Sequence, residues 1–208
     1  LRIAASAGDG IGKEVMPEGI RVLEAVAKKY KFSVALDHFD FASCDYYEKH
    51  GKMMPDDWKQ RIGSHDAIYF GAVGATAVPD DSALGGLGRP GCQGFDQYAN
   101  VRPTRILPGI TSPLRHVGPG DLDWVIVREN SEGEYAGCGG RVHRGLPEEV
   151  GTEVAIFTRV GVQRIMRYAF KLAQSRPRKF LTVVTKSNAQ RHGMVMWDEI
   201  ADEVSKEF

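Results

Sequence analysis

Short apolar runs alternating with amphipathic helical repeats predict an α/β protein with a largely parallel sheet. Glycine accounts for 24 of the 208 residues, against a usual ~7%, so several loops need unusual backbone angles or close approach. The length suits one large domain or one and a half ordinary ones, since domains cluster at roughly 100 to 150 residues.

Residues 2–6 read as a short buried strand running into Gly8-Asp9-Gly10-Ile11-Gly12, a turn. Over 13–29, Val15, Met16, Ile20, Leu23, Val26 and Ala27 recur at helical spacing and form one apolar stripe. The first unit is therefore strand, glycine turn, helix. Residues 32–39 return as a strand, Pro55 with Asp56 and Asp57 opens a helix with acids at its positive end, and 67–73 is a third strand. Between residues 75 and 94 lie five glycines and two prolines with little periodicity. A connection of that length points to an active-site loop.

The character changes after Arg102-Pro103, which predicts a division into 1–100 and 101–208. Strands are expected at 104–107, 124–128 and 153–158, framing a glycine-rich segment at 133–145. Residues 160–175 form an amphipathic helix with Ile165, Ala169 and Leu172 on one face, stopped by Pro177. A buried strand over 180–185 and a helix over 194–207, with Trp197, Ile200 and Val204 inward, complete the pattern.

Lys plus Arg and Asp plus Glu each number 27, so the net charge is zero. That balance argues against nucleic acid or an anionic membrane surface as partner. No run approaches the ~18 apolar residues of a membrane span. With no basic leader ahead of the first strand, the expected location is the cytoplasm. Cys44, Cys92 and Cys138 include no C-x-x-C pair, which fits a reducing compartment. The six histidines show no metal-ligand spacing, and G-x-S-x-G is absent.

A Gly-x-Gly turn between strand and helix offers backbone N–H groups and a helix dipole to an anion. The dinucleotide fingerprint is incomplete here, because Lys13 holds the third glycine position and Asp9 brings a carboxylate to the supposed phosphate. The residues favour a tight turn, with a flavodoxin-like nucleotide-binding module as the alternative. Arg102 before a proline and Arg128 ending the run 124–127 each suit bidentate carboxylate binding, so the pair points to a dicarboxylic acid. Lys186, at the end of strand 180–185, is a candidate base, and Tyr135, among glycines, a candidate proton donor. Against each stands the ordinary reading of a solvated, ion-paired or packed side chain.

These residues also carry a resemblance. The turn Gly8-Asp9-Gly10-Ile11-Gly12, the run Gly94-Phe95-Asp96-Gln97-Tyr98-Ala99-Asn100-Val101-Arg102-Pro103, the segment from Val127-Arg128-Glu129-Asn130 to Tyr135-Ala136-Gly137, and Thr185-Lys186-Ser187-Asn188 are similar to the β-decarboxylating dehydrogenases of the isocitrate and isopropylmalate dehydrogenase family. His50-Gly51-Lys52-Met53-Met54-Pro55-Asp56-Asp57-Trp58 and the segment from Arg167-Tyr168-Ala169 to Lys179 point to its D-malate and tartrate dehydrogenase branch. The resemblance implies the N-terminal part of a large mixed-sheet α/β domain over 1–100, and part of a smaller dimer-forming α/β domain over 101–208. It also implies NAD-dependent oxidation of a 2-hydroxy dicarboxylate such as D-malate, tartrate or 3-isopropylmalate, with loss of the β-carboxyl group assisted by magnesium or manganese.

By the same resemblance Arg102 and Arg128 bind substrate carboxylates, Lys186 assists deprotonation of the hydroxyl, and Tyr135 protonates the enol carbon. Ile11, Val73, Gly74 and Asn188 contact the cofactor. Lys186 and Tyr135 meet across a homodimer, so active sites are shared. The metal aspartates are expected beyond Phe208, leaving no metal ligand in this chain. Cys92 stands where the family places a further carboxylate-binding arginine, and Arg89 is the alternative donor. An inactive dimerisation module, truncated before those aspartates, is the competing reading.

Overall fold

Ile3, Ala4 and Ala5 are all buried, which makes β1 (Arg2–Gly8) the middle strand of a three-stranded sheet. Both neighbours run parallel to it: β2 (Ala35–His38), with Ile3 against Leu36, and β3 (Ala67–Ala72), with Ile3 against Ala67. The computed structural model describes residues 1–74 and 89–208. These fall into two units, Leu1–Phe95 and Asp96–Phe208.

In the first unit α1 (Ile11–Tyr30) packs on the sheet through a line narrower than the sequence stripe. Gly12, Met16 and Ala27 are buried, whereas Val15 and Val26 are exposed. The cause is close approach: a Cβ on Gly12 would collide with the Ala7 carbonyl oxygen and the Ala72 nitrogen, so the helix start lies against β1 and β3. Sequence reading missed α2 (Cys44–His50), whose signals were present. Ser43 caps it by accepting from Tyr46 N–H at 3.1 Å, and Gly51 ends it with φ 70. The helix expected from Pro55 starts later, as α3 (Trp58–Ile62). Pro55 instead opens a turn, its carbonyl accepting from Trp58, and Asp57 pairs with Arg61 at 2.9 Å without capping the helix. The residues 75–94 are not wholly irregular, since α4 (Arg89–Gly94) closes them; the rest of the expected active-site loop lies outside the described residues. The core is Ala4, Phe41, Ala42, Cys44, Met53, Met54 and Ile62.

The second unit departs from the parallel expectation. β4 (Ala99–Arg105) and β5 (Asp123–Glu129) are antiparallel, as are β6 (Gly133–Val142) and β7 (Val150–Ile156). The glycine-rich segment is therefore mostly a strand, with a register irregularity between Gly133 and Cys138. Small residues there permit close strand contact: a Cβ on Gly139 would strike the Thr152 carbonyl oxygen. α5 (Arg159–Ser175) starts at Thr158, whose hydroxyl accepts from Gly161 N–H at 3.0 Å, and packs against α6 (Gly193–Ser205) through Val162, Met166, Ile200 and Val204.

The buried strand expected over 180–185 is not formed among the described residues. Leu181, Val183 and Thr185 are half-buried, while Phe180 and Val184 are 69% and 84% exposed, so burial alternates along the segment although it joins no ladder among the described residues. No helix among the described residues is long and apolar enough to cross a membrane.

One polar tie spans the parallel sheet. The buried His65 ring places Nε2 2.8 Å from Asp37 Oδ2 and Nδ1 3.0 Å from the Ile62 carbonyl. Arg2 Nε donates to the same Asp37 oxygen at 2.8 Å. The hydrogen bond from His65, then that from Arg2, holds the Asp37 carboxyl below the ordinary aspartate value of 3.8. A depressed folded pKa stabilises the fold above the unfolded value, and that gain disappears as pH falls through the folded one. Urea unfolding at stepped pH is therefore expected to show wild type more stable than Asp37→Asn above about pH 4, with the two curves converging at lower pH.

Candidate functional site

The antiparallel register sets Asn100 directly opposite Arg128 and Arg102 opposite Ile126. Cross-strand partners share a face and side chains alternate with period two, so Asn100, Arg102 and Arg128 stand on one face of β4–β5. Arg102 Nε donates to Asn100 Oδ1 at 2.8 Å. Arg128 Nη2 donates to Asn130 Oδ1 at 2.6 Å, and Asn130 Nδ2 in turn donates to the Gln97 carbonyl at 3.2 Å. Arg128 Nη1 donates to the Tyr135 hydroxyl at 3.3 Å, with the guanidinium 4.8 Å from the Tyr135 ring centroid. Arg128 Nε is buried and has no hydrogen-bond partner.

Neither Arg102 nor Arg128 has a carboxylate partner among the described residues, whereas Arg105, Arg159, Arg164, Arg167 and Arg176 all do. The two guanidiniums are held by neutral oxygens, so among the described residues neither positive charge is compensated by a carboxylate. Such a face offers charge-assisted donors to an anion.

The strand ends that present this face are locked from behind. Glu129 accepts from Ser131 N–H, Ser131 Oγ and Glu132 N–H, which pins the β5–β6 turn. Arg164 on α5 donates to both Asp96 oxygens at 2.9 Å and to Ser131 Oγ at 2.8 Å, and lies over the Tyr98 ring. Glu132 accepts from the Thr158 backbone, tying the turn to the start of α5. Sequence reading named Arg128 and Tyr135 but missed Asn100, Asn130 and Arg164. Only the strand register would have pointed to Asn100, and nothing local marked the other two.

Lys186 follows the unpaired segment 180–185, where the expectation had it ending a buried strand; it is exposed, and its side chain makes no hydrogen bond or ion pair among the described residues. Its carbonyl accepts from Ala189 and Gln190 N–H. Asp198 on α6 fixes the chain on either side: Ser187 and Thr185 both donate to it and hold its carboxyl below the usual carboxylate range. Asn188 is exposed in the following turn.

In the first unit the glycine turn is occupied by its own chain. Asp9, 3% exposed, accepts from Cys44 N–H at 2.7 Å through Oδ1 and from Gly74 N–H at 3.1 Å through Oδ2. Gly12 and Lys13 N–H bond to the Asp9 and Gly10 carbonyls, and Lys13 pairs with Asp45 at 2.6 Å. The Asp9, Gly12 and Lys13 amides are spent within the chain and a buried carboxylate stands in the turn, which argues against the flavodoxin-like reading. Ile11 is 60% exposed, Val73 packs partly into the core, and Gly74 has φ 136 with open space where a Cβ would stand. Those features suit an apolar ring, with Gly74 permitting the approach. Cys92 is half-buried on α4, and the side chain of Arg89 lies outside the described residues. No three His, Cys, Asp or Glu residues gather to hold a metal ion among the described residues.

Residues 2–208 match the isocitrate/isopropylmalate dehydrogenase family. A probable tartrate dehydrogenase/decarboxylase of Agrobacterium vitis is 72% identical over the whole chain, which covers 58% of that protein. The decarboxylating D-malate dehydrogenase of Escherichia coli is 53% identical, again with all of this chain and 58% of the relative aligned. The crystal structure of isocitrate dehydrogenase from Methylococcus capsulatus superposes with a TM-score of 0.83 at 30% identity, covering 100% of this chain and 57% of that one. The chain thus spans a little over half the length of the relatives it matches.

The Asp9 tie generates a direct expectation. In Asp9→Asn one carboxylate oxygen becomes an amide nitrogen facing a backbone N–H, so at least one of the two accepted bonds is lost. A bond to a charged group contributes about 1.5–3 kcal/mol. Amide hydrogen exchange should accelerate at Gly74 or Cys44 by about tenfold or more, while the β1–β3 ladder amides exchange as before.

Proposed function

Because the chain belongs to the isocitrate/isopropylmalate dehydrogenase family, we propose that it serves an NAD-dependent dehydrogenase that oxidises and decarboxylates a small 2-hydroxy dicarboxylate of the tartrate or D-malate kind. The observation that carries the reading is the pair of uncompensated guanidiniums, Arg102 and Arg128, on one sheet face beside the Tyr135 hydroxyl. The identity to relatives named for tartrate and D-malate supports the substrate class.

Arg102 and Arg128 each take one carboxylate, which fixes the carbons between them. Lys186 assists removal of the hydroxyl proton as the adjacent C–H leaves as hydride. Bound NAD supplies the hydride acceptor. The β-carboxyl group then departs as CO2, and the electrons of the broken C–C bond remain as an enol or enolate. Tyr135 donates its proton to that carbon, and Arg128 beside it stabilises the charge left on the oxygen. Magnesium or manganese is the ion the family resemblance implies. Two guanidiniums, an amine and a phenol bring no carboxylate cluster among the described residues, so by themselves they do not fit a divalent cation.

The proposal includes a homodimer with shared sites. Lys186 is unpartnered within one chain among the described residues, and the β6–β7 hairpin exposes Val142, Val150, Val154 and Ile156. The division into part of a large domain and part of a dimer-forming domain belongs to the same proposal.

Steady-state kinetics of the whole protein test the clamp. Arg128→Ala is expected to lower kcat/KM for a dicarboxylate by about one to two orders of magnitude, the value of one charge-assisted bond, and to affect a monocarboxylic 2-hydroxy acid much less. An equal effect on both acids would remove Arg128 from the clamp. Mixing Lys186→Ala with Tyr135→Phe subunits should recover part of the activity, since one site of a mixed dimer holds both native groups. No recovery from heterodimers shown by mass spectrometry to have formed would refute sharing.

A further inference from the structure

We infer that Asn100 determines specificity, its carboxamide N–H groups reading the hydroxyl that stands between the two substrate carboxylates. The inference rests on the proposed dicarboxylate site and deepens it. Arg102 Nε has only protons to give, so the Asn100 atom 2.8 Å from it is the carbonyl oxygen, and the amide orientation is thereby set. Asn100 Nδ2 donates to nothing among the described residues. Asn130 provides the contrast: its oxygen accepts from Arg128 and its nitrogen donates to Gln97, so it holds Arg128 and has no proton left for a ligand.

Asn100 is directly across from Arg128 and two residues before Arg102, so its carboxamide shares one face with both cations. A diacid with one carboxylate on each guanidinium lays its middle carbons over Asn100, and in a four-carbon 2-hydroxy diacid those carbons bear the hydroxyl. With both guanidiniums engaged by carboxylates, the unspent Asn100 Nδ2 protons are available to the hydroxyl oxygen. The acceptor capacity of that oxygen persists when its own proton is directed to a base.

Equilibrium titration of the whole protein with D-malate and with succinate, the same diacid without the hydroxyl, decides the matter. Asn100→Ala should weaken D-malate about five- to tenfold more than succinate, the scale of one neutral hydrogen bond. Asn100→Ser, which keeps a donor on a shorter arm, should lose less. If circular dichroism shows Asn100→Ala unfolded, the serine variant carries the comparison, with the same sign expected. Equal weakening of both ligands, as for a residue that only holds Arg102, overturns the inference, and so does no weakening of either. A wild-type protein that binds neither diacid overturns the dicarboxylate site itself and this inference with it, whereas wild-type binding of both with an equal loss in the variants removes Asn100 alone.

Discussion

Two guanidinium charges left without counter-ions on neighbouring strands repel each other, and a fold tolerates them only where neutral oxygens hold each one in place. Asn100 does this for Arg102, and Asn130 with Tyr135 does it for Arg128. A carboxylate in either position would satisfy the arginine better and would also close the site, because the guanidinium would then be spent within the protein. Amide and phenol oxygens leave the charge available. Several other arginines of this unit show the alternative outcome, with Arg164, Arg167 and Arg176 each paired to an acid.

The rest of the second unit follows from keeping that face rigid. Arg128 ends β5 and Tyr135 opens β6, so their mutual position depends on the turn between them. Glu129 binds the turn amides, Glu132 ties it to Thr158, and Arg164 reaches it from α5 while gripping Asp96 ahead of β4. α5 is itself fixed by the buried Val162, Met166, Ile200 and Val204 contacts with α6. A hydrophobic helix pair thus positions a polar turn, and the turn positions Arg128 and Tyr135 relative to each other.

The sequence was informative where chemistry is local and silent where it is relational. The α/β class, β1 and the long helices were legible because periodicity carries them. The antiparallel pairing of β4 with β5 was not, since apolar runs do not state which strand they pair with. Asn100 therefore had no distinguishing mark until its register put it opposite Arg128. The segment 180–185 failed in the opposite sense: Phe180 and Val184 have strand character, yet strand formation needs a partner ladder, and among the described residues none is present. α2 was overlooked because its apolar pattern is short, even though Ser43 and Gly51 mark both ends.

Asp9 shows why the first glycine turn and the second-unit arginines must be read differently. Both places concentrate N–H donors, and both would attract an anion. At the turn the anion is built in: a buried carboxylate spends its two oxygens on Cys44 and Gly74 amides, joining the β1 turn to the start of α2 and the end of β3. The donors are consumed in holding three segments together, so the turn contributes shape, with Ile11 exposed beside it and open space at Gly74. At β4–β5, among the described residues, no carboxylate pairs with Arg102 or Arg128. The distribution of internal anions, more than the distribution of cations, separates the architectural turn in this chain from the face proposed for chemistry.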